Sequence, residues 1–265
     1  MIRKPAVAGY FYPKDPLRLR EHIEQYILPK AERIKAISAL CPHAGYMYSG
    51  AVAGAVYSHL VIPPKVVLIG PNHTGMGPMA SIMTRGTWLT PLGEVEIDQD
   101  LAQKILENSR LLEEDYQAHL AEHSLEVQLP FLQYFRPDLQ IVPIVLIGHS
   151  YELAQDVGQA LAQATRGENV LIISSSDMSH YEPQEVAAQK DKSAIEAILN
   201  LDPQTLYNTV LEKNISMCGV IPTVATIIAS LLLGARETRL IGYMTSGDIT
   251  GDYSQVVGYA GVIIY

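Results

Sequence analysis

Short apolar runs rich in branched side chains, separated by stretches of helical spacing, constrain this chain most. The runs cover 37–40, 66–69, 139–147 and 170–173, and each is too short for a buried helix. Unbroken runs of this kind suit strands covered on both faces, as in a parallel sheet. Helical patterns fill 15–28, 51–60, 98–108, 152–164, 183–199 and 202–211, with Asp15, Asp98 and Ser124 placed as N-caps. Strands at 238–243 and 256–265 close the chain. Segments 81–84 and 87–97, broken by Gly86 and Gly93, predict a hairpin excursion. Pro143 argues for an edge or bulged position in its strand. Alternating strands and helices predict a single three-layer α/β/α domain over 1–265 with a mostly parallel or mixed central sheet. Residues 5–13 read as an irregular aromatic arm packed on that body.

Bulk properties narrow the function classes. With 265 residues, 48% hydrophobic and 18% charged, the chain can build one large core. A net charge of −9 and the lack of any basic run argue against a nucleic-acid partner. Cys41 and Cys218 make no disulfide framework and fit a reducing, cytoplasmic compartment. The N-terminus has no apolar signal region. Segment 218–235 is nearly free of charge, but Pro222, Thr223, Thr226 and Ser230 mark it as a buried core helix rather than a membrane span.

The chemistry gathers where the strands end, on the rim at which open α/β sheets bind ligands. The first run leads to His43, the second to His73, and the run at 170–173 to Asp177 and His180. Two imidazoles at equivalent strand ends point to metal binding, since neutral imidazole is the commonest metal ligand. Cys218 stands before the apolar helix, where the helix dipole would favour a thiolate. Cys41, two residues before His43, is a second candidate thiolate. If the loop at 177–180 opens a helical turn, Asp177 and His180 share a face. Asp177 would then orient an imidazole or touch substrate, and His180 would act as general acid or base. His123, beside a helix N-terminus, would stay neutral. With Tyr48 and Asn72 it is a candidate substrate contact, and Tyr46 and Tyr181 add aromatic rings near the rim. The remaining histidines, His119 among them, read as surface or packing residues. No P-loop, dinucleotide fingerprint or nucleophile elbow is present.

Several segments together resemble the Memo family: Arg3 to Pro13, Pro42 to Tyr46, Glu122 to Glu126, Ser175 to His180 and Asn214 to Gly219. The resemblance implies a fold like the catalytic subunit of class III extradiol dioxygenases, the LigB-like fold. In that pattern His43 and His73 supply two imidazoles, and His180 takes the acid/base position. Cys218 replaces the carboxylate that completes the iron site of the dioxygenases. Two imidazoles and a thiolate are softer donors, suited to copper or zinc, with Fe(II) compatible. The family is described as metal-binding, with proposed copper- or iron-dependent redox activity. It is also described as a signalling scaffold in animals. In microbes it accompanies an AMMECR-type domain and a radical-SAM protein. The expectation is therefore a metal-dependent oxidoreductase with a small-molecule or peptide ligand. A non-catalytic scaffold keeping the same pocket is the alternative, and a zinc hydrolase is a third reading.

Overall fold

The computed structural model describes residues 1–265. The chain opens with β1 (Ile2–Arg3), α1 (Pro16–Glu24), β2 (Ser38–Cys41), α2 (Tyr46–His59) and β3 (Lys65–Pro71). Then come β4 (Ala80–Ile82), β5 (Thr87–Thr90), β6 (Gly93–Ile97), α3 (Gln99–Asn108), β7 (Glu113–Glu114) and α4 (Gln117–Leu120). A 3₁₀ turn (Glu126–Gln128) leads into α5 (Leu129–Phe135), β8 (Gln140–Leu146), α6 (Tyr151–Thr165), β9 (Val170–Ser175) and β10 (His180–Glu182). The last elements are α7 (Gln184–Leu199), α8 (Pro203–Glu212), α9 (Val220–Leu232), β11 (Thr238–Thr245), α10 (Gly247–Thr250) and β12 (Val256–Ile264).

All the strands join one mixed sheet in the order β1-β5-β6-β8-β3-β9-β2-β12-β10, with β11 on β12 and β4 on β8. Its centre, β6-β8-β3-β9-β2, is parallel, and β12 runs antiparallel against β2. Residue parity assigns the two helix layers, since neighbouring residues of a strand face opposite sides. In β9, Ser174 Oγ lies 3.0 Å from Thr223 of α9, while Ser175 Oγ accepts from Gln128 of the 3₁₀ turn. In β2, Ser38 meets Ser230 of α9, while Cys41 lies beside Tyr57 of α2. α9, with α6 and α3, therefore covers one face, and α2 with α5 covers the other. One continuous core of 67 buried residues unites the layers into a single α/β domain.

Several local expectations change. Ser124 is not a helix cap: its hydroxyl donates to the Pro71 carbonyl, 2.8 Å away, and a 3₁₀ turn follows. α2 starts five residues earlier than its apolar pattern, because the Phe11 carbonyl accepts from Tyr46 N at 2.8 Å. Only β5 and β6 form a hairpin, whereas β4 pairs with β7 and β8. Pro143 lies in an interior strand. It falls where β6 has ended at Ile141 and β4 begins at Ile144, so no ladder acceptor there needs its missing N–H. Segment 218–235 forms α9, packed in the core, and no helix is long and apolar enough to cross a membrane.

The N-terminal arm is fastened by a buried ion pair. Arg3 and Glu126, both fully buried, meet at 2.6 Å. Glu126 also accepts from Ala6 N at 2.7 Å, Val7 N at 3.0 Å and the Tyr12 hydroxyl at 2.6 Å. Arg3 donates to the His119 and Glu122 carbonyls and lies 4.1 Å from the Trp88 ring centre. A buried pair is tolerated only when its remaining donors and lone pairs are filled, as they are here.

Candidate metal centre

β2, β3 and β9 are parallel neighbours in register, Cys41 beside Ser175 and Ile69 beside Ser174, so their carboxyl ends share one rim. The loops that leave them carry His43, His73 and Asp177. Cys218 arrives from the start of α9, on a loop that touches the end of β9. Gly219 makes that approach possible: a Cβ there would lie 2.5 Å from Ser176 Cβ and 2.6 Å from the Ser175 carbonyl. One ligand atom each from His43, His73 and Cys218 lies within 4.8 Å of the others. Cys218 Sγ is 3.3 Å from His43 Nε2.

Hydrogen bonds behind the rings fix which nitrogen each presents. Gln128 Nε2 donates to the Pro42 carbonyl at 2.9 Å and to Ser175 Oγ at 2.8 Å, while Tyr57 donates to Gln128 Oε1. The Ser175 hydroxyl has one proton, which goes to the Ser124 carbonyl at 2.6 Å. Only an acceptor site remains on Ser175 for His43 Nδ1, 2.9 Å away. Nδ1 of His43 must therefore carry the proton, leaving the Nε2 lone pair free beside Cys218. On His73, Nδ1 donates to Glu122 Oε1 at 2.9 Å. Glu122 also accepts from the main-chain N–H groups of His123 and Ser124. Burial pushes its pKa up, but the His73 bond and charge, with the Ser124 N–H, outweigh burial and take it down to about 2. Both rings thus have the second partner that metal-binding imidazoles characteristically keep.

Burial governs the other titrations. It lowers His43 well below the usual histidine range, and the neighbouring His123, His73 and His180 add to this. The Cys218 thiol is pushed up to about 12 by burial and then by the Asp177 charge, reversing the expectation of a lowered value. α9 begins two residues beyond Cys218, and its dipole does not offset that desolvation. Asp177 is pushed up to about 6 by burial, against the pull of its bond from His43 N at 2.7 Å. The segment after Asp177 does not open a helical turn but enters β10. There His180 N donates to Ser216 Oγ at 2.7 Å and Nδ1 donates to the Ser216 carbonyl at 3.0 Å, leaving His180 Nε2 free.

The remaining candidates divide. His123 stacks on His73, with ring centres 4.6 Å apart, and joins His73 and Glu122 in a second close group of donors. Its pKa is lowered, by burial first. Asn72 is committed to its own loop: Oδ1 accepts from Thr74 N, Thr74 Oγ1 and Gly75 N, and Nδ2 donates to the Met76 carbonyl. These bonds shape the His73 loop and leave one Nδ2 hydrogen of Asn72 without a partner in the chain. Tyr48 lines an open groove of about 460 Å³ together with Tyr181 and Tyr259. Cys41 is sealed in the core, its thiol also pushed up to about 12 by burial. Glu122, Gln128, Ser175 and Ser216 had no assigned role in the sequence reading. Glu122, Ser175 and Ser216 lie within the segments that carry the family resemblance, whereas Gln128 carried no sequence signal.

Comparison with known proteins shows what the chain as a whole is similar to. The family model described as Memo-like protein matches residues 3–263. A MEMO1 family protein of Aquifex aeolicus is 49% identical over 265 residues, covering 99% of this chain and 98% of that protein. One from Methanothermobacter thermautotrophicus is 48% identical over 274 residues, covering 98% and 99%. Among solved structures, an uncharacterized protein of Escherichia coli K12 is similar in fold, with a TM-score of 0.57 at 14% identity, over 86% of this chain and 100% of that one.

Proposed function

The chain belongs to the Memo-like protein family, and from that premise we propose that it is a copper- or iron-dependent oxidoreductase whose metal sits on His43 Nε2, His73 Nε2 and Cys218 Sγ. The observation that carries this reading is the convergence of three donors, with Nδ1 of each imidazole tied by a hydrogen bond behind the ring. Two imidazoles and a thiolate suit copper, iron or zinc and disfavour magnesium or calcium. A copper or iron ion held there would supply one-electron chemistry and an open position for a ligand.

The chain's own residues supply the rest. Ser175 and Glu122 hold the two rings against rotation. Asp177 fixes the His43 main chain through its N–H. His180, with Nδ1 committed to Ser216, offers Nε2 to hold or move a proton at the rim. The Cys218 thiol, at about 12 without a cation, must lose its proton as metal binds. Binding is expected to release one proton per metal ion and to tighten as pH rises, which a pH-stat titration would check.

A second reading, a non-catalytic ligand-binding scaffold, is favoured by the open groove lined by Tyr48, Tyr181 and Tyr259. Metal analysis by mass spectrometry tests both. The protein is purified anaerobically, without chelator or metal-affinity tag, beside Cys218→Ala and His73→Ala. Near-stoichiometric iron or copper in the wild type alone supports the site. Full occupancy in Cys218→Ala overturns the ligand set. A fully metallated wild type with no redox turnover leaves the scaffold reading.

A further inference from the structure

The groove that Tyr181 lines, one residue after His180, has a distinctive chemistry. It is framed by Tyr48, Tyr181 and Tyr259, with Ser246, Gln255 and Asp252 among its polar walls. No lysine or arginine lines it, and Asp252 is its only charged side chain. Asp252 Oδ1 accepts from Ser254 N at 2.9 Å and Ser254 Oγ at 2.6 Å, while Oδ2 takes no bond from the chain. Tyr259 forms a buried floor, its hydroxyl against Ser246 and within electrostatic reach of Tyr48, Tyr181 and Asp177. Asp177 in turn accepts from the His43 N–H, which links the Tyr259 floor to the loop that carries His43.

Tyr181 is the most telling residue. In the β10–β12 ladder His180 faces Val257 and Glu182 faces Val256, so Tyr181 is the extra residue of a bulge. Its φ of 57° lies in the left-handed region, a strained setting for a bulky side chain. The residue remains 74% exposed, so burial does not compensate for that backbone. Bulges beside functional sites characteristically re-aim one side chain, and this one stands next to His180.

We propose that this groove binds an organic ammonium group, the cationic end of the molecule brought to the metal donors. Electron-rich tyrosine faces attract a positive charge, and the free oxygen of Asp252 adds a counter-charge at the rim. An anionic group would find no lysine or arginine in the groove to receive it. The assignment deepens the preceding reading by giving the charge of its substrate, but occupancy of the groove needs no metal.

The test compares choline with 3,3-dimethylbutan-1-ol, its uncharged isostere, by calorimetric or NMR titration of the full chain. Choline should bind about tenfold more tightly than the alcohol, and Asp252→Asn, Tyr48→Leu and Tyr181→Asn should each weaken it about fivefold. Asn keeps the Asp252 turn acceptor and tolerates the left-handed backbone at 181, so those two variants separate binding from folding. Equal affinity for the two probes, or choline affinity unmoved by all three substitutions, overturns the proposal. The same titration in Cys218→Ala separates the two readings. Choline binding that survives without metal upholds the groove even if the metal assignment fails. Loss of choline selectivity in a fully metallated protein removes the groove assignment alone.

Discussion

His119 is fully buried edge-on to Trp88, and neither of its ring nitrogens has a partner. Burial, and then the Arg3 charge, lower its pKa from 6.5 to about 3. The unfolded chain takes up a proton near 6.5 that the folded chain refuses until about 3. Its contribution is therefore complete above 6.5 and is lost as pH falls toward 3, with a slope of up to about 1.4 kcal/mol per pH unit. His119→Leu should remove that share of the slope and, by deleting two unsatisfied polar atoms, leave neutral-pH stability equal or about 1 kcal/mol higher. Tm measured against pH in both proteins checks this, and an unchanged slope would contradict it. Ser175→Ala tests the other kind of buried polar residue. Without the oxygen that fixes the His43 tautomer, metal affinity should fall about 10- to 100-fold in a competition titration. Such contrasts explain what the sequence made legible at this scale. His43, His73 and Cys218 advertise donor chemistry by residue type and by following strands. Ser175 and Gln128 are chemically ordinary, and their roles come from which proton goes to which carbonyl across the fold.

At the scale of elements, local chemistry was readable where it stayed local. Asp15 and Asp98 each precede a helical pattern and accept from the N–H three residues on. Ser124 sits in the same kind of context, but the Pro71 carbonyl, 53 positions away, captures its hydroxyl. Pro143 misled for a related reason: an interior strand can host proline where two partial neighbours meet end to end. Packing likewise overrides propensity at Gly158 in α6. A Cβ there would lie 2.7 Å from the Ala225 carbonyl and 2.9 Å from Ile228 of α9. Helix propensity alone would make Gly158→Ala stabilising by about 1 kcal/mol. The close α6–α9 approach should reverse the sign and cost about 1–3 kcal/mol, seen as a lowered denaturation midpoint with an unchanged m-value.

At the scale of the whole molecule, the alternation of strands and helices was enough to give the layers, because each strand's apolar run needs cover on both sides. The strand order was not legible, since it depends on which crossover turns which way and on β12 returning antiparallel against β2. The arm at 5–13 was legible as apolar and aromatic, but its fastening was hidden in Arg3 and Glu126. Arg3→Met should strand the Glu126 charge and cost about 3–5 kcal/mol. It should also open the first twelve residues to limited proteolysis before the rest of the chain is cut. The crossovers that build the rim have a kinetic side. His43 and Cys218 meet across 175 positions of sequence, and His73 comes from a third strand end. No short segment can gather these donors, so the slow, non-local closure of the sheet must precede metal capture. An ion held there would be a late passenger rather than a template, unlike the metal of a zinc finger. A chelated sample should keep its native far-ultraviolet circular dichroism and reload without refolding.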